Sequence, residues 1–161
     1  MRGPNGKPFV PDGPHFNLSH SAGMALLAVS DGGPVGIDLE IEGHGRNLAA
    51  AAALTLAPAE QSCFEAATPE DQGRLLRRAW VRKEAVLKAV GCGLRADPRS
   101  LIVGLDSDIR RRVPFAGSDY SIEDIALPFP AAVAGATDFV VTMSEFATDA
   151  CCCPGWEGSD R

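Results

Sequence analysis

The sequence lacks both a long apolar run and an excess of positive charge. No stretch of hydrophobic residues is long enough to span a lipid bilayer. The net charge is −6 and the pI is near 5.0, whereas a general nucleic-acid binder needs a basic surface for the phosphates. Residues 1–14 are polar and rich in glycine and proline, unlike a signal peptide. We therefore expect a cytoplasmic protein that has neither nucleic acid nor a membrane as its partner.

Paired cysteines are also missing. Cys63 and Cys92 are isolated, and the other three cysteines are consecutive, from Cys151 to Cys153. An odd number of cysteines without the paired spacing of zinc ligands argues against a disulfide framework and against a zinc site. Residues 148–161, which include the consecutive cysteines, show no periodicity, and we predict a disordered tail. The sequence thus predicts reduced thiols.

Lysine is scarce among the basic residues. Only three of the 15 are lysine, namely Lys7, Lys83 and Lys88, and the others are arginine. Since the chain uses arginine wherever charge alone suffices, a lysine is expected where a compact point charge is needed. The alternative is that three residues are too small a sample to interpret.

The length of 161 residues and the hydrophobic content of 45% fit one globular domain, which we place at residues 1–147. Helices are predicted at 46–56, at 59–67 after Pro58, and from the Thr68 cap to a stop at Gly91. Met24–Ser30 and residues 35–41 are predicted to form a hairpin. Further strands are predicted at 101–105, 120–127, 131–136 and 139–143, with residues 110–112 in a solvated connection.

Residues 35–40 read Val-Gly-Ile-Asp-Leu-Glu, an alternation typical of a half-buried strand. The apolar residues are expected in the core, so that Asp38 and Glu40 emerge together on the other face. Adjacent carboxylates repel each other, so such a pair accepts a cation, shares a proton or faces water. Mg²⁺ suits these hard oxygen ligands, particularly beside substrate phosphates. The alternative is an acidic outer face of an edge strand.

On the predicted long helix, Trp80, Glu84 and Lys88 recur at intervals of four and therefore share one face. An intrahelical salt bridge beside a core tryptophan is the alternative to a catalytic stripe. The same helix carries four arginines that form either a basic patch or a solvated face: Arg74, Arg77, Arg78 and Arg82.

Residues 16–21 read Phe-Asn-Leu-Ser-His-Ser, which predicts a short strand with Ser19, His20 and Ser21 at its end. Their donors would fit a phosphate, whereas a turn histidine bonded to nearby backbone is the alternative. Glu60 lies in the first turn of the predicted short helix, where the helix dipole favours a carboxylate without any catalytic role.

Four segments occur in the order and approximate spacing of the 4′-phosphopantetheinyl transferase superfamily: Gly-Lys-Pro at 6–8, and residues 16–21, 35–40 and 80–88. The chain resembles the larger, surfactin-synthetase-activating type of this family over roughly residues 6–146. The resemblance implies an α+β fold in which an antiparallel sheet packs with a long helix. The chain would be mostly the C-terminal half of a two-half architecture, with residues 1–21 as a remnant of the first half.

The resemblance also implies an activity, the transfer of the 4′-phosphopantetheine arm of coenzyme A to a serine of an acyl or peptidyl carrier protein. In the family, carboxylates of the strand motif and of the helix motif hold Mg²⁺, and here these are Asp38, Glu40 and Glu84. The positions associated with coenzyme A and its pyrophosphate are Lys7, Ser19, His20, Lys83 and Lys88. Glu60 matches an acidic position proposed as the catalytic base, with Glu84 or a metal-bound water as alternatives.

The sequence departs from the larger type at its N-terminus, where only five residues precede the Gly-Lys-Pro loop. We expect this shortening to leave one wall of the coenzyme A site open and to expose apolar surface. The exposed surface predicts either that the chain forms a homo-oligomer or that it is a shortened form of a longer polypeptide whose start lies upstream. The alternative to an active transferase is a truncated or degenerate member that binds coenzyme A or a carrier protein without turnover. Because carrier proteins are generally acidic and this chain is too, docking requires a local basic patch.

Overall fold

A computed structural model of the protein describes residues 1, 3, 5–41, 47–107 and 110–145. The predicted tail at 148–161, with its three consecutive cysteines, lies outside the described residues. The two described cysteines, Cys63 and Cys92, are free thiols as predicted. In chain order the elements are β1 (His15–Ser21), β2 (Met24–Ser30), β3 (Val35–Leu39), α1 (Leu48–Thr55), α2 (Pro58–Glu65), α3 (Pro69–Val90), β4 (Arg110–Phe115), β5 (Ser118–Asp124) and β6 (Ala131–Gly135).

Two of the three helices, α1 and α3, begin at a residue whose side chain caps them. The Asn47 side chain accepts a hydrogen bond from the Ala50 amide at the start of α1. The Thr68 hydroxyl accepts one from the Asp71 amide at the start of α3, and α3 ends at Gly91 with a φ of 78°. These side chains satisfy amides that an α-helix leaves without partners at its start, and glycine ends a helix in the left-handed conformation without strain. The predicted long helix is thus confirmed at both ends.

The strands form two antiparallel sheets. β1 and β2 make a two-stranded sheet, and the other four strands make a sheet of order β3-β6-β5-β4. Ala22 and Gly23 both have positive φ and join β1 to β2 as a two-residue hairpin turn. The predicted α+β class, with an antiparallel sheet against a long helix, is confirmed.

Two predictions of strand pairing and extent were wrong. β2 does not pair with residues 35–41, because the tight turn at Ala22 and Gly23 pairs it with β1 and leaves β3 to pair with β6. The segment Ser19 to Ser21 lies within β1 rather than beyond its end, since all three residues keep their register with β2.

Three predictions for the second half of the chain were also wrong. Residues 101–105 and 139–143 are not strands. Residues 110–112, predicted as a solvated connection, begin β4, where Val113 is buried and arginine side chains pair with acids on neighbouring segments. Apolar content alone does not distinguish a strand from an irregular buried segment, and arginine is tolerated in an edge strand.

The four-stranded sheet separates two apolar clusters. One cluster lies between the sheet and the helices and includes Leu76, Val86 and Ile122. The other lies on the opposite face and includes Ile37, Leu39 and Val133, with side chains of β2 packed against it. Because β3 is covered on both faces, the prediction that Asp38 faces outward was wrong, and Asp38 is 6% exposed.

Gly36 allows β3 to lie directly against the backbone of α3. A Cβ atom at this position would stand 2.0 Å from the carbonyl oxygen of Ala85 and 2.4 Å from the amide nitrogen of Ala89. Real Cβ atoms essentially never come so close to other atoms. The contact sets the distance between the strand that carries Asp38 and the helix that carries Glu84 and Lys88.

The outer face of the β1–β2 hairpin is apolar and exposed. Leu18 and Leu27 are register partners and are 52% and 60% exposed, and Val29 beside them is 59% exposed. Apolar surface was expected from the sequence, and the self-association inferred from it stays a prediction. No helix among the described residues has the length and apolar character needed to cross a membrane.

We predict that Gly36→Ala destabilises the fold by about 3 kcal/mol or more, because a helix backbone cannot shift without disturbing its own hydrogen bonds. Gly32→Ala is the matched control, since a Cβ there meets only ordinary contacts. Urea unfolding monitored by circular dichroism measures both changes. Equal midpoints for the two variants would contradict the close approach.

Candidate functional site

Elements β1, β3 and α3 enclose a cavity of about 280 Å³, which we call the carboxylate cavity. β1 contributes the polar residues of its C-terminal end, and the end of β3 contributes its acidic residues. α3 contributes Trp80, Glu84 and Lys88, which are spaced by four. The lining residues are Leu18, Ser19, His20, Ser21, Asp38, Leu39, Glu40, Trp80, Glu84 and Lys88. The structure thus brings together the strand carboxylates and the helix stripe, which lie at least 40 residues apart in the sequence.

Asp38 lies at the centre of a hydrogen-bond cluster. Its Oδ1 atom accepts a bond from the Lys88 ammonium at 2.6 Å and another from the Ser19 hydroxyl at 2.7 Å. Lys88 also donates to Ser19 Oγ at 3.1 Å and to the carbonyl of Ile37 at 3.2 Å. The ammonium group therefore offsets the charge of a buried carboxylate that would otherwise be costly.

Glu40 follows two residues after Asp38 and lines the same cavity. Its Oε1 atom accepts a hydrogen bond from the Ser21 hydroxyl at 3.2 Å, and that hydroxyl in turn accepts one from the amide of Ile41. Ser19 and Ser21 each serve one carboxylate, because alternate residues of β1 face β3.

Glu84 is the carboxylate with unused hydrogen-bonding capacity. Its Oε1 atom is buried and has no hydrogen-bond partner among the described residues. Burial raises the pKa of Glu84, the negative charge of Asp38 raises it further, and Lys88 opposes both effects. A buried oxygen without a partner, on a residue that lines a cavity, is suited to a donor or a cation that arrives with a ligand.

The donor set fits a hard cation, although the described residues do not form a ready-made metal centre. No group of three His, Cys, Asp or Glu side chains among them is close enough to hold a metal ion. The Lys88 ammonium is bonded to Asp38, so this carboxylate is already paired with a positive charge. Two strand carboxylates and the unpartnered oxygen of Glu84 are the ligand chemistry that Mg²⁺ prefers.

The comparisons with known proteins agree with this geometry. Residues 34–143 match the model of a family described as the 4′-phosphopantetheinyl transferase superfamily. The chain belongs to this superfamily. The matched range contains both strand carboxylates and the whole of α3.

Three relatives illustrate the similarity. The 4′-phosphopantetheinyl transferase AcpT of Escherichia coli K12 is 38% identical over 91 residues, which are 55% of this chain and 47% of AcpT. HetI of Nostoc sp. PCC 7120, also named a 4′-phosphopantetheinyl transferase, is 37% identical over 89 residues, or 55% of this chain and 38% of HetI. The transferase psf-1 of Bacillus pumilus is 38% identical over 106 residues, or 65% of this chain and 44% of psf-1. The chain thus spans less than half the length of these relatives.

Glu60 and Lys83, two further residues implied by the superfamily motifs, do not line the carboxylate cavity. They form an ion pair of 2.7 Å in which both side chains are almost fully buried. Glu60 also accepts hydrogen bonds from the amides of Ala57, Val103 and Gly104. Lys83 donates to the carbonyls of Pro98 and Leu101. This geometry gives the pair a structural role, since it fixes residues 98–104 against α2 and α3.

Lys7 likewise lies outside the carboxylate cavity. Its ammonium donates to the carbonyls of Val35, Lys88 and Ala89 at 2.9, 2.6 and 3.3 Å. Burial lowers the pKa of Lys7. The neighbouring Asn5 donates to the carbonyl of Gly91. The Gly-Lys-Pro loop thus closes the end of α3 and ties it to β3, and the predicted contact of Lys7 with a nucleotide stays a prediction.

Ser19 and His20 line the cavity, with His20 exposed at its rim, and their contact with coenzyme A stays a prediction. Sequence reasoning missed Asn17, whose side-chain oxygen accepts a hydrogen bond from the amide of Ile37 at 2.9 Å. It also gave Ser21 no role at the carboxylates. The alternation of Asn17, Ser19 and Ser21 was the available signal, because three polar residues at period two predict one polar face of a strand.

We predict that Lys83→Met costs about 3–5 kcal/mol in the free energy of unfolding, because it leaves the Glu60 carboxylate buried without its cation. The double variant Glu60→Gln/Lys83→Met should cost less than the sum of the two single changes. Urea unfolding of the four proteins measures this coupling. Arg99→Met, which breaks the exposed pair with Asp97, is the control and should leave the unfolding midpoint nearly unchanged. Additive effects at Glu60 and Lys83 would contradict the ion pair.

We predict that Glu84→Gln raises the thermal unfolding midpoint. A pKa that is higher in the folded state means that the fold disfavours the carboxylate, so stability is lost as pH rises through that pKa and the penalty persists at neutral pH. Glutamine removes the penalty. The exposed Glu65→Gln is the control, with an effect within about 0.5 kcal/mol. A lower midpoint for Glu84→Gln than for this control, measured by calorimetry without added metal, would refute the assignment.

Proposed function

We propose that the protein transfers the 4′-phosphopantetheine arm of coenzyme A to a serine hydroxyl of an acyl or peptidyl carrier protein. The observation that carries the proposal is the carboxylate cavity, in which Asp38, Glu40, Glu84 and Lys88 meet. Membership of the superfamily and the names of its relatives support the same reaction.

In this reaction the serine oxygen attacks the phosphorus that bears the pantetheine arm. A new P–O bond forms, the bond within the pyrophosphate breaks, and adenosine 3′,5′-bisphosphate leaves. Charge accumulates on the phosphate oxygens, so the site must supply cations and a group that accepts the serine proton.

Lys88 is suited to the pyrophosphate. Its side chain is 25% exposed at the cavity, and its present partner is a carboxylate oxygen, which a phosphate oxygen can replace. When the ammonium turns to the pyrophosphate, Asp38 becomes available as a ligand. Lys88 and Asp38 would thus exchange partners when coenzyme A binds.

Asp38, Glu40 and Glu84 would hold Mg²⁺ in the loaded site. The ion would neutralise charge on the pyrophosphate and stabilise the leaving phosphate. Ser19 and Ser21 orient the two strand carboxylates through the hydrogen bonds described above. His20 at the rim is a donor for a further phosphate of coenzyme A.

Glu84 is the better candidate for the base that accepts the serine proton. A base must come within hydrogen-bond reach of the attacking hydroxyl. Glu84 lines the cavity and has a buried oxygen without a partner, whereas the oxygens of Glu60 are occupied by Lys83 and three backbone amides.

The direct test is incubation of the protein with an apo carrier protein, coenzyme A and Mg²⁺. We expect the carrier to gain the mass of one phosphopantetheine group. Asp38→Asn, Glu40→Gln and Glu84→Gln should each lower kcat/KM at least about 100-fold, the scale of one lost charge-stabilising group. Asparagine is chosen at position 38 because Asp38 is buried and its shape must be kept.

Two controls sharpen the test. Glu65→Gln, an exposed carboxylate on α2, should retain full activity. Calorimetric titration of Mg²⁺ in the presence of coenzyme A should show binding to the parent protein and weaker binding to Asp38→Asn. Full activity of Asp38→Asn, or activity in excess chelator, would refute the metal assignment. Binding of coenzyme A without any mass change in the carrier would instead identify a binding protein without turnover.

A further inference from the structure

The Lys7 ammonium joins two elements of the carboxylate cavity. It lies 2.9 Å from the carbonyl oxygen of Val35 on β3, and 2.6 and 3.3 Å from those of Lys88 and Ala89 on α3. Carbonyls in the last turn of an α-helix have no partner within the helix, and carbonyls at the free edge of a sheet have none within the sheet. One cation therefore satisfies three such oxygens where the strand meets the helix.

Lys88 makes a second connection between the same two elements. Its ammonium donates to the carbonyl of Ile37, two residues after Val35 on β3, as well as to Asp38. Residues two apart in a strand are separated by about 6.6 Å, so the two ammonium groups connect β3 and α3 at neighbouring points. Lys7 thus binds the backbone of the residue whose side chain reaches Asp38.

The close contact at Gly36 does not by itself fix α3 along its own axis. A glycine sets the distance between the two backbones, but it has no side chain that could interlock with the helix. Hydrogen bonds from one ammonium group to both backbones oppose a sliding movement. Misplacement of a reacting group by about 1 Å can cost about 100-fold in rate, so the position of α3 on β3 matters for Lys88.

Three oxygens converge on the nitrogen atom of Lys7, and this arrangement requires an ammonium group. An ammonium has three hydrogens to donate from one point, whereas a guanidinium spreads its donors over a planar fork. Without the cation, the three carbonyl oxygens would face one another. The compact point charge expected from the scarcity of lysine is needed at this position.

The loop that carries Lys7 is itself bound to the end of α3. Asn5 donates to the carbonyl of Gly91 at 2.8 Å and accepts a hydrogen bond from Arg95 at 2.9 Å. The amide of Gly3 donates to the carbonyl of Lys7 at 2.8 Å. Lys7 is therefore held at its backbone as well as at its ammonium, and its charge is engaged within the protein.

We propose that Lys7 is a positioning residue, which fixes α3 on β3 so that Lys88 and Asp38 meet at the carboxylate cavity. Its effect on turnover rests on the proposed function, whereas the fixation itself does not. The resemblance to the superfamily implies a different role, in which Lys7 contacts the nucleotide of coenzyme A. Loss of a nucleotide contact would weaken coenzyme A binding, whereas loss of a positioning residue changes turnover and the surroundings of Lys88.

The kinetic test compares Lys7→Met and Lys7→Arg with Arg99→Met, a control at an exposed residue that pairs with Asp97. We expect both changes at Lys7 to lower kcat by about tenfold or more and to leave the KM for coenzyme A within about twofold of the parent value. Arg99→Met should change neither. Arginine should not restore kcat, because its fork does not fit three converging oxygens.

Two kinetic outcomes would overturn the proposal. One is an unchanged kcat in both Lys7 variants of an active parent. The other is a loss of coenzyme A affinity in Lys7→Met that Lys7→Arg restores, which would assign Lys7 to the nucleotide instead.

NMR of the lysine ε-carbons needs no turnover and separates this inference from the proposed function. Selective ¹³C labelling of lysine gives three signals, because the chain has three lysines. The signal missing in Lys7→Met belongs to Lys7, and the signal missing in Lys88→Met belongs to Lys88. We expect both Lys7→Met and Lys7→Arg to shift the Lys88 signal and to leave that of Lys83, which is enclosed with Glu60.

A shifted Lys88 signal supports the proposal even if the parent protein transfers nothing and the proposed function fails. An unchanged Lys88 signal in the folded variants would overturn it, whether or not transfer occurs, because a lysine that only stabilises the fold leaves the site of the folded protein as it was. Should Lys7→Met fail to fold, Lys7→Arg, which keeps the charge, provides the same comparison.

Discussion

The free edge of β3 is the feature on which the rest of the site depends. β3 lies at the end of its sheet, and an edge strand presents unpaired amides and carbonyls. Here side chains take the place of a neighbouring strand. Asn17 and Ser21 accept from the amides of Ile37 and Ile41, while Lys7 and Lys88 donate to the carbonyls of Val35 and Ile37. The strand that carries Asp38 and leads into Glu40 is thereby fixed from a third direction, besides the sheet and α3.

The polar groups of the site and its surroundings differ in how far they are accessible to solvent. Lys88 neutralises Asp38 and opens onto a cavity, whereas the ion pair of Glu60 and Lys83 is sealed from solvent. Glu84 lies between these extremes, with one buried oxygen unused. The ion pair that opens onto the cavity is thus separated from the ion pair that is enclosed in the fold. Lys88 lies at the exposed mouth of the cavity, whereas Lys83 lies in the enclosed interior of the fold.

The periodicity of the sequence predicted those features of the site that depend on the geometry of a single helix or strand. The intervals of four between Trp80, Glu84 and Lys88 and the alternation around Asp38 depend only on helix and strand geometry, so both groups were found. The contact of Glu60 with Val103 joins residues 43 positions apart, and no local pattern encodes it. The same applies to β3, whose pairing with β6 depends on which edge the β1–β2 hairpin leaves available. Apolar segments such as 101–105 were misassigned because burial, not strand pairing, selects their side chains.

The distribution of amines has a practical consequence for chemical labelling. Of the three lysines, Lys83 is sealed from solvent and Lys7 shares its ammonium among three carbonyls, while Lys88 opens onto the cavity. An acylating reagent that modifies the folded protein would meet the terminal amine and Lys88 before the other two. Because arginine does not react with such reagents, the twelve arginines remain unmodified. Lys88 is therefore the most accessible side-chain amine, and it lies in the carboxylate cavity. A fluorophore attached to it would report the binding of a ligand there.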